Sequence, residues 1–321
     1  MKIGVLTAPW SGQPLEEVLD YLCESGLEAV EIGTGNYPGS AHCDPFELNS
    51  SVGKRRAFLR AIESRGLVLS ALSCHGNPLH PNKRIAKEHH KVHRETVKLA
   101  PKLGVSCVIN FSGLPAGSPR DRVPNWVTAP WPEDQLEAVQ YQWDEVAIPY
   151  WKKENKFADA RGVDVCFEMH PNFLVYNPET LMKLREACGK RMCANFDPSH
   201  LFWQGIDAPA AIRHLGGDVI KHFHAKDSLV DPQNAAINGV LDTKHYGDEI
   251  NRAWIFRTVG YGHDYTTWKA IVSELRLVGY DHVLSIEHED SLMSADEGFQ
   301  KAVRFLKDVM IAEMPGEMTW A

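Results

Sequence analysis

The chain has 321 residues, with 34 lysines and arginines against 42 aspartates and glutamates, for a net charge of −8. Apolar residues make up 44% of the sequence, which supports a large buried core and excludes a disordered, collagen-like or coiled-coil chain. The negative charge argues against a protein that wraps nucleic acid, because such proteins usually carry a basic surface.

The cysteines and the apolar segments bear on the cellular compartment. The seven cysteines are odd in number and scattered, and they form no CxxC pair, which predicts free thiols in a reducing environment. The N-terminal sequence MKIGVLTAPW is interrupted by Pro9 too early for a secretory signal. A run of about 18 apolar residues is absent, so we expect no membrane span. These features predict a soluble, cytoplasmic protein.

Short β-type runs alternate with amphipathic helical patterns along the chain. In the helical stretches apolar residues recur at spacings of three and four, as in the segment from Leu15 to Leu22. Glycine often precedes the return to a strand, as in KLGVSCVINF, which is typical of a helix C-terminus. The eight predicted strands are residues 2–6, 29–33, 68–74, 106–111, 163–167, 192–196, 219–224 and 282–286.

Eight strands with eight helical connections predict a single (β/α)8 TIM barrel over residues 1–321. A doubly wound sheet is the alternative, but its glycine-rich GxGxxG sequence is missing after the first strand. The connections after the fourth and seventh strands, at 111–163 and 225–264, are unusually long. Both are expected at the C-terminal face of the barrel, as walls of a functional site or as oligomer contacts.

Ionisable residues cluster at the ends of the last four strands, in VDVCFEMHP, MCANFDPSH, VIKHFHAKD and HVLSIEHED. Because side chains alternate along a strand, the polar residues are expected to share the barrel interior and the large apolar ones to face the helices. The predicted inward set is Cys166, Glu168, His170, Cys193, Asn195, Asp197, His222, His224, Lys226, Ser285, Glu287 and Glu289.

Two glutamates, one aspartate and one histidine from these four strands would converge inside the barrel. Three carboxylates in one place repel one another, and a divalent cation would neutralise them. Oxygen-rich ligands with one imidazole favour Mn²⁺, Mg²⁺ or Co²⁺, with Zn²⁺ as a further alternative. A metal-free network of salt bridges is the structural alternative, although few inward lysines or arginines are available to build it.

Through FEMHP, NFDPSH, HFHAKD and LSIEHED, in this order, the sequence resembles the xylose isomerase-like barrels of the sugar phosphate isomerase/epimerase superfamily. SCHGNPLHP and GYGHD add to this resemblance, which extends over essentially the whole chain. It implies one divalent metal ion, with Mn²⁺ expected first, held by Glu168, Asp197, His224 and Glu287. Glu289 competes with Glu287 for the fourth position, because it shares the inward face two residues further along.

The resemblance implies a metal-dependent sugar isomerase or epimerase. A divalent metal bound to a carbonyl oxygen and the neighbouring hydroxyl stabilises the enediolate that forms when the adjacent C–H proton leaves. Glu168 and Glu287 are the implied acid/base pair, and His200 is implied to hold a substrate oxygen. The expected partner is a small sugar or sugar derivative, and an oligomer of identical chains is a family expectation.

Other activities of the same barrel family stay open. One is a lyase acting on 3-oxo sugar conjugates, either a dehydratase or a C-glycoside deglycosidase that needs a small partner subunit. An apurinic-site endonuclease would need three metals and a basic surface, against the net charge of −8. A non-catalytic binding protein is disfavoured by the complete ligand set. Whether the substrate is phosphorylated is also open, because GYGHD is only a weak indication of a phosphate-binding loop.

Four further residues are candidates for substrate binding. His75 follows the third strand, and His170 and Lys226 share the inward faces of Glu168 and His224. Arg257 lies in the long seventh connection. The structural alternative for His75 is a hydrogen-bonded core histidine, and for His170 a group that supports the site. Lys226 could instead form an ion pair with Asp227 or Glu289. Arg257 could be a solvated loop residue.

Some other residues have an ambiguous pattern. Glu31, at the end of the second strand, faces inward if Ala29 does, either in the site or as a structural partner. Three tryptophans of the long connections are expected in a pocket wall or in packing: Trp126, Trp131 and Trp254. Three histidines of the polar stretch KRIAKEHHKVHRE are predicted to lie on the solvated face of a helix: His89, His90 and His93.

Overall fold

The computed structural model describes residues 1–313 and 316–320. Its strands are β1 Lys2–Val5, β2 Ala29–Gly33, β3 Val68–Ser73, β4 Cys107–Asn110, β5 Asp164–Glu168, β6 Met192–Phe196, β7 Ile220–Ala225, β8 Asp227–Val230, β9 Trp254–Arg257 and β10 Val283–Ile286. Eight of them pair in parallel in the order β1, β10, β7, β6, β5, β4, β3, β2. Backbone hydrogen bonds of 3.1 Å from Thr7 N to Glu31 O and from Glu28 N to Ile3 O then join the two ends of this order. The predicted TIM barrel is confirmed.

The eight barrel strands begin and end within one residue of their predicted bounds. The helices around them are α1 Leu15–Glu24, α2 Pro45–Ser50, α3 Val52–Glu63, α4 Lys83–Leu99, α5 Glu133–Gln140, α6 Ile148–Asp159, α7 Pro178–Cys188, α8 Ser199–Phe202, α9 Ala208–Leu215, α10 Pro232–Asn238, α11 Tyr265–Leu277 and α12 Ala295–Val309. A π-helical segment, Tyr141–Ala147, joins α5 to α6, and 3₁₀ turns lie at Ala8–Trp10, Ala100–Leu103 and Glu249–Asn251.

Side-chain caps fix where several helices begin. Asp264 accepts hydrogen bonds from the backbone of Thr266 at 2.9 Å and Thr267 at 3.1 Å, so the long seventh connection ends sharply at α11. Asn177 and Thr180 form a reciprocal capping box at the start of α7. Such caps satisfy amide groups that a helix start leaves without intrahelical partners.

The apolar core lies between the strands and the helix ring. Phe167 of β5 packs edge-on against Trp151 of α6, with ring centroids 4.7 Å apart. Phe223 of β7 stacks on Phe196 at 5.7 Å and meets Trp268 of α11 at 6.4 Å. The predicted division, with large apolar side chains facing the helices and polar ones facing the barrel axis, is therefore correct on these strands.

The seven cysteines are free in the structure, as predicted. Six are buried and Cys23 is exposed. Three of the buried ones, Cys107, Cys166 and Cys193, belong to a small apolar cluster with Ala71 and Ile109 on the inward faces of the strands. Among the described residues, no helix is both long and apolar enough to cross a membrane.

The two long connections are structured segments. The fourth connection carries α5 and the π-helical segment before α6. The seventh contains the antiparallel pair β8 and β9, with α10 between them, which the sequence did not predict. Residues alternate between buried and half-buried along β9, from Trp254 to Arg257, but four residues are too few for a clear periodic signal.

The prediction of a solvated face for three histidines of α4 is wrong. His93 is fully buried, with Nδ1 3.2 Å from the Asn110 amide and Nε2 3.6 Å from Glu154 Oε2. His89 and His90 are half-buried and hydrogen-bonded, to Asn77 N at 2.7 Å and to the Tyr150 hydroxyl at 2.8 Å. A signal was present, because His93 precedes the buried Thr96, Val97 and Ala100 by three, four and seven positions.

Burial of His93 predicts a loss of stability in mild acid. Burial lowers the pKa of His93 to about 4, whereas the unfolded chain titrates near its ordinary value of 6.5. The unfolded state therefore binds more protons as the pH falls below 6.5, and the folded state loses about 2 kcal/mol at this residue by pH 5. We expect the urea midpoint of His93→Gln to fall less between pH 7.5 and pH 5 than that of the wild-type protein. Equal falls in the two proteins would contradict the prediction.

Candidate metal centre and active site

Four donor groups from four neighbouring strands meet inside the barrel. Glu168 ends β5, Asp197 follows β6, His224 lies in β7 and Glu287 follows β10. One donor atom from each side chain lies within 4.8 Å of the donor atoms of the other three. The strands are parallel, so their carboxyl ends share one edge of the barrel and bring these residues together. The first three are buried, and Glu287 is half-buried at the floor of a cavity.

The contacts within this group are short. His224 Nδ1 lies 3.0 Å from Glu168 Oε2 and 3.1 Å from Glu287 Oε2. Lys226 Nζ lies 2.6 Å from Glu287 Oε2 and 3.0 Å from Asp197 Oδ2. The ammonium of Lys226 therefore lies beside two of the four donor groups.

The surrounding charges keep these groups ionised. Burial raises the pKa of Glu168, but His75 and the hydrogen bonds from His200 and His224 bring the pKa well below its ordinary value. Burial also raises the pKa of Glu287, and the positive charges of Lys226 and His224 outweigh it, so that pKa is lowered too.

The donor set fits a divalent cation. Oδ2 of Asp197 is buried and accepts no hydrogen bond, although His200 Nε2 lies 3.2 Å away and Lys226 Nζ 3.0 Å away. A buried carboxylate oxygen without a hydrogen bond is costly unless another group compensates it. Three carboxylates with one imidazole match the ligands of Mn²⁺, Mg²⁺ and related ions.

A layer of polar residues lies beneath this group on the barrel axis. Glu31 is fully buried, and its carboxylate accepts hydrogen bonds from His224 Nε2 at 3.0 Å, from Ser285 Oγ at 2.6 Å and from the Ser73 hydroxyl. Burial raises the pKa of Glu31, but the charges of His224 and His222 outweigh it and lower that pKa to about 2.

The other half of this layer supports Glu168. Asn195 Nδ2 donates to Glu168 Oε2 at 3.1 Å, and Asn195 Oδ1 accepts from His222 Nδ1 at 3.0 Å. His222 Nε2 in turn lies 3.4 Å from Ser70 Oγ. The alternation of side chains along each strand placed Glu31, Asn195 and His222 on inward faces, but it could not show that they touch the metal-ligand candidates.

Histidines surround Glu168 on its other sides. His75 Nε2 lies 3.1 Å from Oε2 of Glu168, and His200 Nε2 lies 3.0 Å from Oε1. His170 packs on His200 with ring centroids 4.1 Å apart. Burial and the charge of His200 lower the pKa of His170 to about 3. Burial lowers the pKa of His200, but Asp197 outweighs it and raises that pKa to about 9.

The cavity above the group has a volume of about 570 Å³. His75, His170, Lys226, Glu168 and Glu287 are among the residues that line it. Its apolar wall includes three aromatic side chains, with the rings of Phe111 and Phe173 stacked 4.2 Å apart and Phe111 6.1 Å from Tyr37. His200 is fully buried below the cavity, and its Nε2 contacts Glu168.

Arg257 does not join the other candidates. Its Nε donates to Asp290 Oδ2 at 3.1 Å, and Arg257 is not among the described residues that line the cavity. Lys226 pairs with Glu289 at 2.8 Å rather than with Asp227.

The GYGHD loop does not offer an open cradle for phosphate. Asp227 Oδ2 accepts hydrogen bonds from the backbone N–H groups of Gly260 at 3.1 Å, Gly262 at 3.2 Å and His263 at 2.9 Å. Trp268 Nε1 donates to the same oxygen at 3.1 Å. The amide groups that would bind a phosphate therefore already bind a carboxylate of the protein.

The three tryptophans of the long connections lie outside the main cavity wall. Trp254 stacks on Trp203, with ring centroids 4.9 Å apart, and so has a packing role. Trp126 lines a separate cavity of about 260 Å³ beside α5, and Trp131 is 79% exposed.

The fold and the four donor groups define a class of protein. The model of the xylose isomerase-like TIM barrel family matches residues 19–309, and the chain belongs to this family. It is 42% identical over 313 residues to the uncharacterized protein YfiH of Bacillus subtilis strain 168, covering 97% of this chain and 99% of that protein.

Solved structures share the fold at low sequence identity. The probable 3-DHS dehydratase AsbF of Bacillus anthracis is 15% identical with a TM-score of 0.65, covering 96% of this chain and 99% of that one. IolI with a bound zinc atom is 17% identical with a TM-score of 0.64, covering 96% and 98%. D-psicose 3-epimerase with D-fructose is 14% identical with a TM-score of 0.61, covering 97% and 99%.

Proposed function

We propose that the protein is a divalent-metal-dependent isomerase or epimerase of a sugar or sugar derivative. The observation that carries this proposal is the approach of four donor atoms to within 4.8 Å of one another, at the floor of a cavity large enough for a sugar. The likeness of the fold to a ketose 3-epimerase supports the same reaction class.

Glu168, Asp197, His224 and Glu287 would hold the metal. A bound divalent cation supplies an electrophile that makes a C–H proton beside a carbonyl group easier to remove. Mn²⁺ is the proposed ion because carboxylates dominate the donor set, and Zn²⁺, Mg²⁺ and Co²⁺ belong in the same test. The zinc in IolI supports the position of a metal in this fold.

The two glutamates are the proposed acid/base pair. Both line the cavity, and they come from β5 and β10, which are separated by two strands of the barrel. Both pKa values are lowered, so either carboxylate is available to remove a proton. For an epimer, one glutamate removes the proton and the other, having first taken a proton from water, delivers it to the opposite face of the same carbon. Return of the removed proton by the same glutamate to the neighbouring carbon gives the aldose–ketose isomer.

The charges of the cavity favour an uncharged substrate. Among the described residues that line it, Lys226 is the only lysine or arginine. Its ammonium is within 3.0 Å of carboxylates of Asp197, Glu287 and Glu289. A phosphate would need a free cation or free backbone amides, so we propose an unphosphorylated sugar or derivative.

A lyase is the second candidate, and Lys226 favours it. Elimination needs a base to remove a proton and an acid to protonate the leaving oxygen. Lys226 lines the cavity with its ammonium 2.6 Å from Glu287 Oε2, so one proposed base has a cationic proton donor beside it. The fold likeness to a dehydratase agrees with this alternative.

Metal analysis separates Glu287 from its neighbour Glu289. We expect about one Mn, Co, Mg or Zn ion per wild-type chain, and its loss in Glu287→Gln, because one of four donor groups is removed. Glu289→Gln is the matched control, because this side chain is 47% exposed and lies outside the four-donor group of Glu168, Asp197, His224 and Glu287. This variant should keep the metal. Retention in Glu287→Gln with loss in Glu289→Gln would assign the fourth ligand to Glu289. Three ions per chain would instead favour the endonuclease branch.

Exchange with deuterated solvent tests the reaction itself. Metal-loaded protein incubated in D₂O with a panel of unphosphorylated ketoses should place deuterium on the carbon next to the carbonyl, and Glu168→Gln should stop this exchange. An epimer or aldose that contains deuterium supports the isomerase, whereas an enone product supports the lyase. A metal-loaded protein that exchanges no proton with any keto sugar or 3-oxo glycoside would refute both.

A further inference from the structure

The main cavity opens beside a second, smaller one. This side compartment has a volume of about 290 Å³ and is lined by His170, Tyr246, Ile255, Phe256, Glu289 and Ser291. Three of these residues, His170, Tyr246 and Glu289, also line the main cavity, so the two spaces share a boundary.

The side compartment is built by the long seventh connection. Ile255 and Phe256 belong to β9, and Tyr246 lies in the segment that leads to it. The Tyr246 and Phe256 rings stack with centroids 5.6 Å apart, and Phe256 meets the His200 ring edge-on at 5.4 Å. The Lys226 ammonium lies 4.8 Å from the centre of the Phe256 ring. The apolar compartment therefore begins directly beside the proposed reacting groups.

We propose that the substrate is a sugar that carries an uncharged aromatic or other apolar substituent, and that this substituent binds in the side compartment. This inference rests on the proposed function. A free monosaccharide would leave the compartment empty. An anionic substituent is disfavoured because Glu289 lines the space and no lysine or arginine is among its described lining residues. The apolar lining of Tyr246, Ile255 and Phe256 favours contact with an apolar group.

Binding of matched glycosides tests this proposal. We expect the metal-loaded protein to bind phenyl 3-oxo glycosides about tenfold or more tightly than the methyl 3-oxo glycosides of the same sugars, because burial of one ring contributes roughly that much affinity. Tyr246→Ala should reduce this preference towards equality. Tyr37→Ala is the matched control, because Tyr37 lines only the main cavity, and it should keep the preference.

The outcomes separate this proposal from the proposed function. Equal affinity for phenyl and methyl glycosides would refute binding of the substituent in the side compartment. A preference for phenyl that survives in Tyr246→Ala and in Phe256→Ala would refute it as well. Failure of every glycoside to bind also overturns it while leaving the metal centre intact. A protein that binds no metal refutes the proposed function, whatever the glycosides do.

A second inference follows independently from the buried layer below the metal-ligand candidates. Glu31 lies across the barrel on β2, and its two oxygens are 3.1 and 3.0 Å from His224 Nε2. A carboxylate is an acceptor only, so the hydrogen atom of this contact belongs to the imidazole. A metal ion would therefore bind through Nδ1, the nitrogen that faces Glu168 and Glu287.

We infer that Glu31 is a positioning residue for the metal ligand His224. Ser285 of β10 and Ser73 of β3 donate to the Glu31 carboxylate and fix its orientation, so Glu31 holds the imidazole ring from β2, a strand that supplies none of the four candidate ligands. Carboxylates that accept from the second nitrogen of a ligand histidine orient the ring and raise metal affinity.

The test is metal affinity, measured by competition with a chelator and by the visible absorption of the Co²⁺-loaded protein. Glu31→Gln should weaken binding about 10- to 100-fold and change the Co²⁺ spectrum, because a neutral amide holds the ring less firmly. Glu154→Gln is the control: Glu154 is also a buried carboxylate, but it pairs with Arg94 of α4 outside the barrel interior. It should lose stability and keep the metal affinity.

A measurement on the wild-type protein tests the role of Glu31 even if Glu31→Gln fails to fold. The ¹⁵N NMR signals of the His224 ring in the Zn²⁺-loaded protein should show the proton on Nε2. A proton on Nδ1, or an unchanged metal affinity in folded Glu31→Gln, would overturn the inference. A wild-type protein without metal refutes the proposed function instead.

Discussion

The structure depends on the burial of several carboxylates inside one barrel. Glu31, Glu168 and Asp197 are each at most 2% exposed, and an unpaired carboxylate in such a place costs several kcal/mol. His224 compensates three carboxylates at once, through Nε2 to Glu31 and through Nδ1 to Glu168 and Glu287. Because one imidazole serves residues from β2, β5 and β10, the site is compact and its geometry is linked to the closure of the barrel.

Carboxylates outnumber their cationic partners in this cluster. Burial lowers the pKa of His200 and of His224, but Asp197 outweighs it for the first and Glu31 for the second, so both pKa values are raised. Lys226, His200 and His224 face the carboxylates of Glu31, Glu168, Asp197, Glu287 and Glu289. The fold therefore concentrates acidic groups where the four candidate ligands meet.

The positions of the strands and the alternation of side chains along them are what the sequence could predict. Eight strands were placed to within one residue because short β-type runs alternate with amphipathic helical patterns, and glycine often marks the return to a strand. Parity put Glu168, Asp197 and Glu287 on inward faces, but it could not separate His222 from His224, since both face inward two residues apart. The structure separates them by depth: His222 bonds to Asn195 and Ser70, whereas His224 reaches the four-donor group.

Features that depend on tertiary partners could not be predicted in the same way. His93 lies in a polar helix, and although its spacing to Val97 and Ala100 matches a buried face, the partners that bury it, Trp151 and Glu154 of α6, are distant in sequence. The sequence makes Arg257 a candidate for substrate binding, but in the structure it pairs with Asp290, a partner that is distant in sequence. β8 and β9 are each too short to give a periodic signal in the sequence. They form because they pair with each other.

One dipeptide lies between the four candidate metal ligands and the GYGHD loop. Lys226 and Asp227 are adjacent, and neighbouring side chains of an extended chain point in opposite directions. Lys226 points to Asp197 and Glu287, whereas Asp227 binds the amide groups of the GYGHD loop and holds the end of the seventh connection. The backbone that carries Lys226 is therefore tied to the same connection that supplies Tyr246 and Phe256 to the side compartment.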